Sequence, residues 1–241
     1  MPTIAISGAG SGIGHTFLTH YAKNSSNTIH AIDVTWSDDV KDEKASATVH
    51  RHTVNSSDTS SIEDLRKKLG DTPIDVFIHS AAVRGLNPEI QKQESDPAKA
   101  ETLDVTDPDI FKTTLLVNTL GTFMLIRALL PNLKASSQQP PKVVVMGSGM
   151  GSIENNKGGA YAYGSSKAGL NYVVKSFSGD VPEVAFGIIH PGKVESRMTH
   201  VREEGAIDAE EAIETMLPLI DGLTKEKTGM FITREGKPLP W

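Results

Sequence analysis

Tyr163 and Lys167 have the residue types and the spacing that suit acid/base chemistry. Four residues apart, they project from one face of a helix, so their tips can converge on a common site. Tyrosine ordinarily ionises near pH 10, and a neighbouring ammonium stabilises the phenolate that a general acid/base needs at neutral pH. Because such pairs are also common on solvated helices, the pair indicates catalysis only if other polar groups join it.

Two further polar residues precede this pair along the chain. Ser148 follows a short apolar segment, and Asn118 lies within a long helical pattern. Taken singly, the serine is typical of a turn at a strand end and the asparagine of a helix cap or kink. Their joint occurrence, in this order before Tyr163 and Lys167, predicts a catalytic set of four residues.

A glycine-rich stretch, SGAGSGIG at 7–14, follows the first apolar segment and precedes an amphipathic helix. Glycines allow positive φ angles and let backbone N–H groups approach a pyrophosphate at a helix N-terminus. A tight turn could need glycines for steric reasons alone. In this context the stretch predicts dinucleotide binding, with contacts from Gly8, Ser11, Gly12, Ile13 and Gly14.

Asp33 ends the second apolar segment, roughly 20 residues after the glycines, where a carboxylate accepts hydrogen bonds from the adenosine ribose. Its charge would repel a 2′-phosphate, and no Arg or Lys stands beside it in the sequence Val34-Thr35-Trp36. NAD(H) is therefore the favoured cofactor. NADP(H) is the alternative, since Lys41 and Lys44 follow within a few residues.

Short apolar segments alternate with helix-length amphipathic stretches, a pattern typical of a parallel sheet with crossover helices. Strands are predicted at 3–7, 28–34, 47–54, 75–79, 142–146, 185–190 and 229–233. Helices are predicted at 13–23, 60–69, 107–133, 160–177 and 209–220. The expected fold class is α/β, one Rossmann-type domain over 1–241, a doubly wound parallel sheet of about seven strands with helices on both faces.

Two segments lack a clear place in this pattern. Residues 84–106 are highly charged and include the pairs Asn87-Pro88 and Asp96-Pro97, which predicts a surface insertion. Residues 197–223 are short and acidic, and we expect them on the substrate side without defining a pocket. An acidic helix face is usually solvated, so it does not indicate a cationic substrate.

Composition excludes several classes of protein. The 241 residues carry 24 basic and 30 acidic side chains, so the surface lacks the positive field that attracts nucleic acid or anionic membranes. The absence of cysteine excludes disulfides and cysteine-ligated zinc, and no metal site is predicted. The chain starts directly with a strand-like segment and shows no run of about 18 apolar residues, so a cytoplasmic protein is expected.

The sequence resembles the short-chain dehydrogenase/reductase family over nearly its whole length. Tyr163-Gly164-Ser165-Ser166-Lys167 is similar to the Tyr-x-x-x-Lys signature, and 8–14 to the Gly-x-x-x-Gly-x-Gly turn. The resemblance implies that Tyr163 protonates a carbonyl oxygen and that Lys167 lowers its pKa and holds the nicotinamide ribose. It implies that Ser148 polarises the substrate oxygen and that Asn118 supports a proton relay to the lysine.

Further cofactor contacts follow from the same resemblance. The stretch 190–198 resembles the Pro-Gly segment that holds the nicotinamide carboxamide. Where the family has Asn-Asn-Ala-Gly, this chain has His79-Ser80-Ala81-Ala82, so Ser80 is expected to make a shorter bond or leave its task to water, and His79 to be a buried structural residue. The implied contacts are Asn55, Ser56, Ser80, Ala81, Ala82, Pro191, Gly192, Val194 and Ser196.

A finer resemblance, at 151–163 and 236–241, is to the sniffer or C-factor-like branch, whose members are described as carbonyl reductases. It implies hydride transfer between a nicotinamide cofactor and a carbonyl or alcohol. Two alternatives stay open: a non-redox epimerase, dehydratase or cyclase of the same fold, and a nicotinamide-sensing binding protein. A homo-oligomer, dimer or tetramer, through the long helix and the Tyr163 helix is expected, with a monomer as the alternative.

Overall fold

The computed structural model describes residues 1–41, 45–195, 198–199 and 201–241. Within them, seven strands form one parallel sheet in the order β3-β2-β1-β4-β5-β6-β7. The strands are β1 Thr3–Ser7, β2 Thr28–Asp33, β3 Thr48–Thr53, β4 Val76–His79, β5 Lys142–Met146, β6 Ala185–His190 and β7 Met230–Thr233. The expected fold class is confirmed.

Helices cover both faces of this sheet. They are α1 Gly12–Ala22, α2 Asp38–Lys41, α3 Thr59–Leu69, α4 Pro88–Gln91, α5 Pro108–Leu115, α6 Thr122–Lys134, α7 Tyr161–Asp180 and α8 Ala209–Asp221. Parallel strands need such crossovers, and helices on both faces bury the apolar side chains that alternate along each strand.

Successive residues of β5 show how the sheet separates two cores. Val143 and Val145 belong to a core that α3, α6 and α7 cover. Val144 and Met146 belong to a second core that α1 and α8 cover. Because side chains of a strand alternate between faces, an unbroken apolar run serves both cores, as the sequence pattern predicts.

The strand order reverses between β1 and β4. From β1 the chain continues outward to β2 and β3, whereas β4 starts the other half of the sheet. Ser7 pairs with His79 in register, so the loops after these two strands open on the same crevice. Ligands of doubly wound sheets bind at such a switch point, at the carboxyl ends of the strands.

The long helix predicted at 107–133 is interrupted. A π-helical turn, Leu116–Gly121, joins α5 to α6. The combined stretch Pro108–Lys134 is long and apolar enough to cross a membrane, and an 18-residue window within it has a mean hydropathy of 1.5. Leu125, Leu129 and Leu133 lie in the core against the sheet, which accounts for this apolar composition.

Residues 84–106 form helical elements rather than an extended loop. Helix α4 and two 3-10 helices, Pro97–Glu101 and Leu103–Val105, occupy most of the segment. The side chains of Asn87 and Asp96 accept hydrogen bonds from backbone N–H groups of the turns that they precede. Each Asn-Pro or Asp-Pro pair is thus a helix cap followed by a proline in the first turn.

Candidate active site

Tyr163 and Lys167 lie on the first turns of α7 and face the end of β5. The Tyr163 side chain lines the same cleft as Ser148, which directly follows β5, and the Ser148 hydroxyl lowers the pKa of Tyr163. Lys167 Nζ donates a hydrogen bond to the Met146 carbonyl at 2.9 Å and lies 5.7 Å from the centroid of the Tyr163 ring. The structure thus brings together the serine, tyrosine and lysine that the sequence predicts.

The surroundings of Tyr163 act on its proton affinity in both directions. Burial raises the pKa of Tyr163, whereas Arg84 and the hydrogen bond from Ser148 lower it, and Glu101 and Glu203 raise it. Burial also lowers the pKa of Lys167 to about 8, so this lysine is still mostly an ammonium at neutral pH. Tyr163 therefore sits between charges of both signs in a site that disfavours the phenolate by desolvation.

Asn118 lies in the π-helical turn and is fully buried. Its Oδ1 accepts from Val83 N–H at 2.8 Å, and its Nδ2 donates to the Val83 carbonyl at 2.8 Å and to Ser166 Oγ at 2.9 Å. The side chain thus ties the loop after β4 to α7. Its implied part in a proton relay stays a prediction.

The His79 side chain ties β4 to β1 and to the π-helical turn. Its Nδ1 lies 2.6 Å from Ser7 Oγ, and its Nε2 lies 2.8 Å from Thr122 Oγ1. Thr122 Oγ1 donates to the Asn118 carbonyl at 2.6 Å. A hydroxyl has one proton, so Thr122 must accept from Nε2–H, and Ser7 must donate to Nδ1.

The imidazole of His79 is longer than a serine side chain and spans the distance from β1 to the π-helical turn. His79 is only 1% exposed, as expected for a structural histidine. Burial first, and then Lys167, lowers the pKa of His79 to about 3, so the ring is neutral. One directed chain of hydrogen bonds consequently links the strand before the glycine turn to Asn118.

The glycine turn requires glycine at defined points. Gly8 has a φ of 71°, and a Cβ there would lie 2.7 Å from the Ala81 nitrogen. A Cβ on Gly14 would lie 2.1 Å from the Gly8 carbonyl oxygen. The N-cap residue of α1, Ser11, makes no side-chain capping bond, so the first N–H groups of α1 are available to an anion.

Asp33 stands beside this turn at the end of β2. Its carboxylate accepts hydrogen bonds from Gly10 N–H at 2.8 Å and from Val34 N–H at 2.7 Å. Asn55 Oδ1, which the sequence assigned to the adenine, accepts from the N–H and the hydroxyl of Ser57 at 3.0 and 2.7 Å. Asp33 therefore helps to hold the turn. The Asn55 side-chain oxygen already accepts two hydrogen bonds from Ser57.

A cleft of about 830 Å³ connects these two groups of residues. The predicted site residues that line it are Gly8, Ser11, Gly12, Ile13, Asp33, Asn55, Ser56, Ser80, Ala81, Ala82, Ser148, Tyr163, Lys167, Pro191, Gly192 and Val194. Gly14 and Asn118 support the site from outside this lining, and Ser196 and Lys44 lie outside the described residues.

Among the cleft residues that the sequence does not predict, three are charged groups that act on Tyr163. Arg84 and Glu101 come from the 84–106 segment, and Glu203 comes from the acidic 197–223 segment. The Asp96-Pro97 pair was a usable signal for the 3-10 helix that carries Glu101. No local pattern, however, indicates that Glu101 meets an arginine 17 residues earlier.

Comparison with known proteins identifies the class to which this fold and site belong. The family model described as "short chain dehydrogenase" matches residues 2–206, and the chain belongs to that family. A relative, "C-signal" of Myxococcus xanthus, is 34% identical over 172 residues, which cover 70% of this chain and 93% of that protein.

Two solved structures share the fold over the full length of the chain. An NADPH-bound carbonyl reductase from chicken fatty liver has a TM-score of 0.81 at 22% identity, with coverage of 100% of this chain and 99% of that one. The carbonyl reductase Sniffer of D. melanogaster has a TM-score of 0.80 at 22% identity, with 100% of both chains covered. The resemblance to the sniffer branch is thus confirmed for the fold.

The expected preference for NAD(H) receives no support from these comparisons. The chicken carbonyl reductase is described as NADPH-bound, and another neighbour, an alcohol dehydrogenase from Thermococcus sibiricus, is described as complexed with 5-hydroxy-NADP. The charge of Asp33 predicts NAD(H), but in the structure three backbone N–H groups already donate hydrogen bonds to that carboxylate.

Proposed function

We propose that this chain is a cytoplasmic oxidoreductase that transfers a hydride between a nicotinamide dinucleotide and a carbonyl or alcohol substrate. One observation carries the proposal: Tyr163 and Ser148 line the same cleft as the glycine turn and Asp33. A proton donor and a nucleotide-binding turn in one cleft suit a reaction in which a proton and a hydride reach the same carbonyl group.

The residues present fit a dinucleotide. The cleft volume of about 830 Å³ lies in the range of small-molecule sites, roughly 300–1,000 Å³. The N-terminus of α1, without a side-chain cap, suits the pyrophosphate, and Asp33 suits the adenosine ribose. Pro191, Gly192 and Val194 line the part of the cleft after β6, where the family resemblance places the carboxamide.

A bound nicotinamide would supply or accept the hydride. Tyr163 would donate a proton to the carbonyl oxygen during reduction and take it back during oxidation, while the Ser148 hydroxyl polarises the same oxygen. The Lys167 ammonium would favour the phenolate and hold the nicotinamide ribose. Asn118 would keep the loop after β4 and α7 in register and support the proton relay.

Two observations point in opposite directions on the form of the dinucleotide. The carboxylate of Asp33 would repel a 2′-phosphate, which favours NAD(H). The NADPH-bound neighbour favours NADP(H). Separate titration of NADH and NADPH into the wild type and Asp33→Ala, followed by nicotinamide fluorescence, decides between them. A tighter NADH complex whose advantage disappears in Asp33→Ala supports the electrostatic argument; tighter NADPH binding by the wild type contradicts it.

Activity is tested with a panel of carbonyl and alcohol substrates and the absorbance of the reduced nicotinamide. Tyr163→Phe should lower kcat by at least about 100-fold while the dinucleotide still binds. Tyr172→Phe, on the same helix but 78% exposed, is the matched control and should retain wild-type turnover. Binding without any net change in cofactor absorbance would favour the non-redox or sensing alternatives.

We also propose that a second copy of the chain binds along α5 and the π-helical turn. An apolar groove of about 850 Å³ is present there, lined by Phe111, Leu115, Leu116, Leu120, Phe123 and Val173 among others. Leu120 is 41% exposed although its neighbours are apolar. Sedimentation should show a dimer or tetramer that Leu120→Glu converts to monomers; a monomeric wild type would contradict the proposal.

A further inference from the structure

Arg84 lies closer to the catalytic tyrosine than Lys167 does. Its guanidinium carbon is 4.7 Å from the centroid of the Tyr163 ring, whereas Lys167 Nζ is 5.7 Å from it. Lys167 Nζ also donates its hydrogen bond to the Met146 carbonyl. Among the described residues, the cation closest to the phenol ring is therefore supplied from outside the helix that carries Tyr163 and Lys167.

Glu101 holds this arginine in place. Arg84 Nε donates to Glu101 Oε2 at 2.8 Å, and Arg84 Nη2 donates to Oε1 at 2.7 Å. The side chains of Arg84 and Glu101 are only 15% and 6% exposed. A two-bond contact between planar groups fixes orientation, and low exposure keeps water from screening either charge.

The ion pair is also attached to the start of the catalytic helix. The Glu101 carbonyl accepts a hydrogen bond from Ala160 N–H at 3.0 Å, and α7 begins at the next residue. Ala160 itself has a φ of 46°, a conformation that costs an alanine free energy and persists only where its surroundings impose it. The 84–101 segment is therefore attached directly to the start of α7, beside Tyr163.

We propose that Arg84 and Glu101 are positioning residues that set the proton affinity of Tyr163 as two opposing charges, Arg84 favouring the phenolate and Glu101 opposing it. The inference rests on the proposed function in that Tyr163 is the group that moves the proton. It assigns a role to the 84–106 segment, since that segment supplies both charges.

In the part of the chain that the structure describes, the charges near Tyr163 come from three segments. Lys167 lies on its own helix, Arg84 and Glu101 lie on the 84–106 segment, and Glu203 lies in the loop before α8. After burial, which raises the pKa of Tyr163, Arg84 has the largest effect and lowers it, and Glu101 raises it. The two partners of one ion pair thus act on the phenol with opposite signs.

Fluorine NMR of the protein labelled with 3-fluorotyrosine tests this without cofactor or substrate. The chain has four tyrosines, so a few resonances are expected, and Tyr163→Phe identifies that of residue 163. The pH midpoint of this resonance measures the ionisation of the phenol directly. Arg84→Gln should raise the midpoint by about one pH unit, and Glu101→Gln should lower it by a similar amount.

Arg84→Lys keeps the charge and should stay closer to the wild type than Arg84→Gln. Arg127→Gln is the matched control, because Arg127 lies over a different ring, that of Phe123, at 5.1 Å. It should leave the midpoint unchanged. If Arg84→Gln does not fold, because Glu101 is left as an unpaired buried anion, the double variant Arg84→Gln/Glu101→Gln is compared with Glu101→Gln alone.

The proposal is overturned if the midpoint stays unchanged in both single variants, or if it moves in the same direction in both. The second result would mean that the pair only maintains the packing around Tyr163. Shifted midpoints in a protein without hydride transfer would leave the charge effect intact and remove only the proposed function. Turnover by the wild type, together with unchanged Tyr163 midpoints in the variants, would contradict only this inference.

Discussion

The two ends of the cleft are built from different parts of the chain. At the nucleotide end, the groups facing the cleft are a turn at 8–14, the N-terminus of α1, and Asp33 at the end of the neighbouring strand. At the substrate end, Ser148, Tyr163 and the Arg84–Glu101 pair come from segments far apart in sequence. The first end depends mainly on backbone geometry. The second depends on polar and charged side chains that the fold brings together from distant parts of the sequence.

This difference separates what a substitution does at each end. A larger residue in the turn should weaken binding strongly through steric contact, because the backbone cannot yield without moving the strand and helix that it joins. A changed polar side chain at the substrate end should alter the rate while binding persists. The predictions below test this separation, from the largest expected effect to the smallest.

Gly14→Ala should have the largest effect, on dinucleotide affinity. The added Cβ would lie 2.1 Å from the Gly8 carbonyl oxygen, so α1 must move away from the turn. Overpacking of this kind costs about 3 kcal/mol, roughly a 150-fold loss of affinity, measured by fluorescence titration. Gly179→Ala, a helical position with nothing within 4 Å of its added Cβ, is the control and should bind normally.

Ser148→Ala should reduce turnover rather than binding. The change removes the hydroxyl that lowers the pKa of Tyr163 and that accepts from Met150 N–H at 3.2 Å. Loss of one donor to a reacting oxygen lowers kcat by about 100-fold. Ser165→Ala, an exposed serine on α7, is the control. A loss of dinucleotide affinity as large as the loss of kcat would contradict the separation of the two ends.

The nucleotide end was the more predictable of the two from sequence. Glycines at 8–14 and Asp33 are local signals, because a strand, a turn and a helix follow one another along the chain. The apolar runs of β1, β4, β5 and β6 likewise reveal a sheet that is buried on both faces. Backbone requirements leave a pattern that one sequence can show.

The substrate end could be predicted only in part, for a physical reason. Tyr163 and Lys167 could be predicted because residues four apart on a helix project from the same face. The pairing of Arg84 with Glu101 depends on how three short helical elements fold back, which no periodicity encodes. His79 was recognised as buried, but its bonds to Ser7 and Thr122 depend on the sheet register and the π-helical turn.

Thr122→Val tests the hydrogen-bond chain that links the two ends. The substitution keeps the shape of the side chain but leaves His79 Nε2–H and the Asn118 carbonyl without this partner. An unsatisfied buried polar group costs about 2 kcal/mol of unfolding free energy, measured by urea denaturation. Thr215→Val, which removes only a bond to the Ala212 carbonyl on α8, is the control. Equal losses of unfolding free energy in both variants would show that this chain of hydrogen bonds has no special role in stability.

The smallest effect concerns His30, on the strand that ends at Asp33. Burial first, and then His52 and His50, lowers the pKa of His30 to about 4 from its usual 6.5. The neutral ring therefore stabilises the fold above pH 6.5, and this stability is lost as the pH falls toward 4. His30 Nδ1 lies 3.0 Å from His52 Nε2, so protonation places a charge inside the β2–β3 pair.

The free energy of unfolding should fall between pH 7.5 and pH 5, and His30 should account for about 1 kcal/mol of that fall after allowance for partial solvent screening. His30→Gln should remove this part of the slope, whereas His20→Gln, on α1, should keep it. His79 contributes to both variants and cancels in the comparison. Because His30 lies in the strand that leads to Asp33, dinucleotide affinity should weaken over the same pH range in the wild type and less in His30→Gln. Equal pH dependence of the affinity in the two proteins would show that protonation of His30 does not affect dinucleotide binding.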